Sequence, residues 1–500
     1  MAGCLFGLET EYAMGGATAT ASLRPREAVR LVMEEAHRSL VYLTDSNGSL
    51  YLANGARLYT DCGWHPEFCT PECRDPWDLV RYVRAGERIL VGLADRARVS
   101  HPEIADLWFL RTNVDYGGSL ATWGCHESYL SRKRPMDVVK DLLPHLAARV
   151  VFCGAGGFDP QSAGIRFTLS PRAGYFTRAV TTESTADRGL FHLRDRALSE
   201  AYHRIHVTCG ESLASDVALW LKVGTTALIL AMADADRRPS EGLELADPVQ
   251  AFHAFAADPT CRAAARLTTG RLATAVEIER GYLQQVRAAC GASFMPPWAA
   301  DVCRLWGRVL DLIERRDPAL HAMLDWAIKE AVTAGFVAKG SISWPSIGNW
   351  TAAIREARAR FGAWDPRALP AADEHGRDVA RELASFLRGK GLDPDRAGEI
   401  SSLRHRLFEL DTKFGRLGDD GLFAALERQP GVLTHRVAGA RNVDEAIERP
   451  PESGRARIRG DVIRRFARHV GFIAGWDSVC HTGGSALDLS DPFVEAERWS

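Results

Sequence analysis

Gly7-Leu8-Glu9-Thr10-Glu11-Tyr12, preceded by Cys4-Leu5-Phe6 and followed by Ala13-Met14, is the stretch whose reading decides the fold. The run reads as a strand. Side chains alternate across a strand, so Glu9 and Glu11 share one face, roughly 7 Å apart. At an effective dielectric near 20, carboxylates at that spacing repel by about 2.4 kcal/mol. A pair kept on one face of a sheet therefore implies a cation between or beside the two carboxylates. Oxygen-only ligands suit Mg²⁺, above all Mg²⁺ that also carries substrate phosphates. The competing interpretation is a solvated strand face, and the pair alone does not choose between the two.

The next stretch outward is residues 54–73, Asn54-Gly55-Ala56-Arg57-Leu58-Tyr59-Thr60-Asp61-Cys62-Gly63-Trp64-His65-Pro66-Glu67-Phe68-Cys69-Thr70-Pro71-Glu72-Cys73. Asn-Gly is a hairpin signal, and residues 56–61 form the strand expected after it. Asp61, His65 and Glu67 then fall at or just past a strand end, where sites are commonly built. Asp61 could act as a base for an incoming amine and Glu67 as a further metal carboxylate. A zinc deaminase would need Pro-Cys-x-x-Cys downstream of His65-x-Glu67, whereas this chain offers Pro71-Glu72-Cys73. A zinc site from His65, Cys62, Cys69 and Cys73 would lack any Cys-x-x-Cys pair. Further along come Asn113-Val114-Asp115, Gly124-Cys125-His126-Glu127, Arg204-Ile205-His206 and Leu221-Lys222-Val223. Taken singly, His206 reads as a hydrogen-bonded core histidine and Lys222 as a lysine snorkelling from a helix.

With 500 residues, the chain is long enough for two to four domains, or for one large catalytic domain with an appendage. Its apolar fraction of 46% and charged fraction of 25% fit a protein with a substantial core. A net charge of −2 argues against nucleic acid as a partner. The arginines of residues 355–360 are interrupted by Glu356 and read as a solvated helix face. Eleven scattered cysteines and an opening that runs straight into the first strand suggest reduced thiols and a cytoplasmic location. The longest apolar run, 217–233, carries Lys222 and Gly224 and is expected to be too short and interrupted to cross a membrane. Helices are expected at 25–43, 77–97, 272–289, 299–314 and 320–334, and strands at 107–113, 166–169 and 205–209. No Gly-rich phosphate loop supports a P-loop or Rossmann fold. Residues 341–397 read as an insertion with short helices at 350–361 and 377–387.

As an ordered set these segments resemble the family of the Pup ligase and the depupylase Dop. These are glutamine-synthetase-like carboxylate–amine enzymes that act on a prokaryotic ubiquitin-like modifier. The resemblance runs through GLETEY at 7–12, residues 54–73, GCHESYL at 124–130, RIHVTCGES at 204–212 and LKVGTTAL at 221–228. It continues through LDWAIK at 324–329, GRARIRGDVIRRF at 454–466 and GWDSV at 475–479. It implies an α+β fold: a curved antiparallel sheet packed against helices in a catalytic domain of residues 1–430, with a small C-terminal domain of residues 431–500 beside a nucleotide. It further implies that Glu9, Glu11, Glu67 and His126 hold Mg²⁺ and the phosphates of ATP (or ADP plus phosphate). Asp61 matches the catalytic aspartate, Arg194, Arg204 and His206 match positions near the phosphates and the acyl centre, and Arg455, Arg459 and Trp476 match the nucleotide end.

The activity implied is ATP- and Mg²⁺-dependent cleavage of the isopeptide, or of a C-terminal Gln amide, in a Pup-like modifier and its protein conjugates. The alternatives are a ligase that forms the isopeptide through an acyl phosphate, a small-molecule carboxylate–amine ligase, and an inactive binding module. Neither nucleic acid nor a membrane is an expected partner. Three departures qualify the match, one of them an insertion at 341–397 longer than either class is expected to have, while a further segment bears on which class the chain resembles. Arg196-Ala197-Leu198 stands where the family has Glu-Pro-His. The loop characteristic of Dop is missing before Asn54. Trp476-Asp477-Ser478 resembles the depupylase more than the ligase.

Overall fold

A computed structural model of the chain describes residues 4–162, 164–182, 187–194, 197–199, 201–338, 344–362, 374–433, 443–467 and 469–500. The opening stretch is a strand, Phe6–Glu11, and it lies near the middle of a sheet that has ten strands among the described residues. Cys125–Ser131 lies on one side of it, followed by Tyr202–Val207, Gly189–His192 and Arg178–Thr181. On the other side come His65–Cys69, Arg57–Asp61, Leu50–Leu52 and Tyr42–Thr44, while Ala197–Ser199 pairs with Tyr202–Val207. The expected antiparallel order holds throughout, except at the edge, where Arg178–Thr181 runs parallel to Gly189–His192.

Alternation of burial gives the sheet its two faces. Phe6, Leu8 and Thr10 are buried, and Gly7, Glu9 and Glu11 lie on the opposite, open side. In the neighbouring strand Cys125, Glu127 and Tyr129 are buried, and His126, Ser128 and Leu130 are on the open side. Beneath the closed face lie the helices Pro76–Ser100, Pro135–Ala148, Asp216–Asp234, Ala275–Ala289 and Ala299–Arg315. Their starts are set locally: Asp75 accepts from Trp77 N–H, Ser215 from Ala218 N–H, and Thr274 and Glu277 form a capping box.

Asp216–Asp234 is long and apolar enough to pass as a membrane span by length and composition, contrary to the expectation that it is too short. Burial decides the matter, because 89% of its most apolar window lies inside the protein. Lys222, on this helix, does not snorkel. Its side chain has no exposed surface and lies 3.6 Å from Glu127, which also takes a two-pronged bond from Arg149.

The first helix ends at Ser39 rather than at 43, because Tyr42–Thr44 leaves it to become the edge strand of the sheet. Likewise Leu272–Thr274 is a strand before its helix begins. Within the 341–397 insertion the helices Trp344–Phe361 and Glu374–Gly389 are present, the expected starts at 350 and 377 being late. They pack with Ala397–Gly415 and with Phe158 and Ile165 of the main body. Val443 and Ala446 belong to the main core. From Arg455 onward a helix, Arg455–Phe466, and a three-stranded sheet (Phe472–Ala474, Ser478–His481, Ala486–Asp488) share a small core with Leu43, Tyr51 and Ala53.

Candidate active site

The open face collects the charged side chains because strand register aligns them. Arg57, Cys69, Glu9 and His126 form one row across four strands, and Tyr59, Glu67 and Glu11 form the next. Gly7, Ser128, His206 and His192 form a third. The turn 62–64 returns the chain so that Asp61 faces His65, with Gly63 and Trp64 both at positive φ.

Register sorts the acidic residues into two clusters. Glu11, Asp61 and Glu67 bring one carboxylate oxygen each within 4.8 Å of one another, and Glu9, His126 and His206 do the same with one oxygen and two imidazole nitrogens. The four residues expected to hold a metal are thus divided between two groups, with Asp61 joining one and His206 the other. His206 is half-buried on the open face, so the core-histidine interpretation does not hold. Among the described residues no group able to hold a metal contains a cysteine. Cys69 and Cys73 are buried and Cys62 is exposed, so the zinc arrangement is not assembled.

The donors of the Glu11, Asp61 and Glu67 cluster, all carboxylate oxygens, fit a hard cation, whereas the Glu9, His126 and His206 cluster is a mixed oxygen and nitrogen set. Glu67 is buried, and burial, then the charges of Glu9, Glu11 and Asp61, push its carboxyl well above the usual range despite a hydrogen bond from Tyr59. Such surplus negative charge is what a bound cation relieves, and the all-oxygen set suits Mg²⁺. Burial also pushes Glu11 up, but His65, His126, the Gly124 N–H and Arg172 outweigh it and bring it down to about 2. Gly124 N–H donates to Glu11 Oε2 at 3.0 Å. Burial lowers the pKa of His126 against the pull of Glu11 and Glu9, so its ring is held neutral, the form that ligates. Arg204 donates to Glu9 Oε1 at 2.6 Å and to Ser128 Oγ at 2.9 Å.

From Glu9 a cavity of about 730 Å³ runs to the C-terminal unit, past Arg57, Tyr59, His192, Arg194, Arg204 and His206 to Arg455 and Trp476. Arg194 is exposed at its wall; Arg196 lies outside the described residues. Trp476 packs edge-on against Tyr51 at 5.3 Å. Arg455 lines the cavity and donates to Glu72 at 2.6 Å. Arg459 is wholly buried and off the wall: it donates to Glu72 at 2.5 Å, to Gly55 O and to the Trp476 carbonyl, and stacks on the Trp476 ring at 4.7 Å. It positions the tryptophan from behind.

Tyr59 and Arg57 share the strand and the face of Asp61, a period-two signal that the sequence does contain. His192 reaches the site only by pairing with His206, and Arg172 only from an irregular loop, so neither carries a local signal. Asn113 is structural, bonded through its side chain to the backbone of Ser212.

Comparison with known proteins gives a consistent result. The model of the family described as Pup-ligase protein matches residues 4–353 and 390–480. A Pup deamidase/depupylase of Mycobacterium tuberculosis is 32% identical over 463 residues, covering 90% of this chain and 79% of the relative. A Pup–protein ligase of Rhodococcus erythropolis is 31% identical over 471 residues, covering 92% of this chain and 89% of the relative. The fold matches that of the ligase PafA in its complex with Pup, with a TM-score of 0.76 at 24% identity, over 99% of this chain and 89% of that one. It also matches PafA in complex with ADP, with a TM-score of 0.69 over 96% of this chain and 93% of that one.

Proposed function

This chain belongs to the Pup-ligase protein family, and we propose that it is an ATP- and Mg²⁺-dependent enzyme that cleaves the isopeptide, or a C-terminal Gln amide, of a Pup-like modifier. The observation that carries the proposal is the placement of Asp61. It sits with Glu11 and Glu67, beyond the end of a cavity lined by Arg194, Arg204, Arg455 and Trp476. A nucleotide in that cavity would set its base near Trp476 and its phosphates by Arg204 and Arg194, guanidinium groups suited to phosphate. Glu11 and Glu67 on one side, and Glu9 and His126 on the other, would hold Mg²⁺. When bound, Mg²⁺ supplies charge neutralisation for the phosphates.

Asp61 orients the attacking water and accepts its proton, and His206 lies beside the acyl centre. The hydrolytic direction is favoured by the likeness of Trp476-Asp477-Ser478 to the depupylase. Ligation is the second reading. It is favoured by the short turn 45–49 between Tyr42–Thr44 and Leu50–Leu52, which leaves no room there for the Dop loop.

The test is to incubate the protein with ATP, Mg²⁺ and a Pup-conjugated protein, and separately with free Pup ending in Glu plus an acceptor protein. Loss of the conjugate supports hydrolysis, and appearance of one supports ligation. No change in either, with no nucleotide binding, sinks both. Asp61→Asn is expected to reduce turnover by at least about 10³-fold and to leave ATP affinity, measured by calorimetry, within about twofold. Equal loss of both would remove Asp61 from the chemistry.

A further inference from the structure

Two arginines on the far side of the carboxylate cluster have no part in the nucleotide cavity. Arg172 is 3% exposed, and its Nη1 donates to Gly210 O at 2.5 Å. Its Nε is buried with no hydrogen-bond partner. A side chain at Gly124 would bring its Cβ to 2.9 Å from His126 Nε2 and 3.2 Å from Arg172 Nη2, so glycine leaves room for the guanidinium beside the site. Arg188 donates through Nη1 to Thr122 Oγ1, two residues before Gly124, and lies over the Tyr175 ring. Both guanidinium groups thus converge on the segment 122–124 that supports Glu11. Among the described residues neither guanidinium is ion-paired with a carboxylate within 4.0 Å, whereas those of Arg84, Arg149 and Arg204 are; Arg172 meets Glu211 only through its backbone N–H, at 3.2 Å. Burial and the neighbouring Arg172 charge lower the pKa of Arg188, against the opposing pull of Glu11 and Tyr175.

Neither residue lines the cavity that ends at Glu9 and Trp476. If a nucleotide fills that cavity, the acyl substrate must approach the cluster from the other side, where Arg172 and Arg188 stand. A terminal Glx whose side-chain carbonyl reacts also carries a free α-carboxylate, only a few bonds from that carbonyl. Delivered beside Glu11 and Asp61, this second negative charge needs fixed cations. Guanidinium offers a planar fork that matches a carboxylate.

We propose that Arg172 and Arg188 form an anion subsite for the free α-carboxylate of the substrate's terminal residue, and so select a chain end over an internal Glx. The proposal rests on the functional reading above, but its test separates the two. The probe is a fluorescent modifier peptide ending in Gln, made as the free acid and as the C-terminal amide. Binding is measured by polarisation and deamidation by ammonia release.

The wild type is expected to bind and turn over the free acid about tenfold to a hundredfold better, the range for losing one charge-assisted bond. Arg188→Met and Arg172→Lys should each bring that ratio close to one while ATP affinity stays unchanged. Arg188 is only half-buried, so Arg188→Met tests the subsite even if the Arg172 variant fails to fold. Equal binding of the two peptides by the wild type overturns the subsite, as does a ratio that survives in Arg188→Met. A free-acid preference without turnover upholds the subsite and counts against the functional reading; turnover without a preference does the reverse.

Discussion

Glu67 shows how a single carboxyl can oppose folding and still be kept. It is 4% exposed with three acidic neighbours, and its proton is held tightly by burial and by their charges. Without a bound cation, Glu67→Gln should leave the protein as stable as the wild type or more so, by on the order of 1–2 kcal/mol. The same variant should lose most of the rise in Tm that millimolar Mg²⁺ gives the wild type, as measured by scanning calorimetry. A Mg²⁺-dependent rise that survived in the variant would take Glu67 out of the cation set. A marked loss of stability without Mg²⁺ would instead make its contact with Tyr59 a structural bond. Asp61 differs only by position: at the end of the strand Arg57–Asp61, beside a turn, it keeps access to solvent and to a substrate.

At the scale of the element, the strand Cys125–Ser131 serves both faces at once. His126 points to the open side, and Glu127, one residue on, points into the core. There Arg149 grips both Glu127 oxygens at 2.6 and 2.8 Å, Tyr129 donates at 2.6 Å and Lys222 stands at 3.6 Å. The His-Glu dipeptide therefore divides its roles by strand alternation, the first residue facing the site and the second fixing the strand to the helix Asp216–Asp234. Glu127→Gln would leave two buried cations without their counter-charge and should destabilise the fold by about 3–5 kcal/mol. Urea denaturation followed by circular dichroism measures this, and a loss under about 1 kcal/mol would mean that water or backbone carbonyls already satisfy Arg149 and Lys222.

At the scale of the whole molecule, Glu72 joins the C-terminal unit to the sheet. It follows the strand His65–Cys69 and receives Arg455 and Arg459 from the helix Arg455–Phe466, the latter also holding the Trp476 carbonyl. Burial pushes the Glu72 carboxyl up, but the two arginines outweigh it and bring it from an ordinary 4.5 down to about 2. A depressed folded-state pKa contributes stability that is complete above the unfolded value and is lost as pH falls through the folded one. The docking should therefore weaken between about pH 4.5 and about pH 2. Glu72→Gln should destabilise the protein by about 3 kcal/mol at neutral pH and lower nucleotide affinity. Its difference in stability from the wild type should shrink steadily through that acid window in pH-dependent denaturation. A difference that stayed constant with pH would separate Glu72 from the docking.

Several parts of this architecture are legible in the chain alone, because they depend on local periodicity. Glu9 and Glu11 share a face because residues two apart always do, and Asn54-Gly55 makes a hairpin because glycine accepts the φ of +83° that the turn requires. Motifs in family order supplied the α+β class and the residues of the open face. What local sequence could not decide is which charged residues meet. Pairing across strands separates Glu11, Asp61 and Glu67 from Glu9, His126 and His206, and brings His192 beside His206. Tertiary packing puts Arg459 behind Trp476 instead of against a ligand, and carries Arg172 from an irregular loop to the edge of the carboxylate cluster. The physical reason is range: alternation acts over two residues, whereas Coulomb forces and burial act through space between segments that the chain keeps far apart.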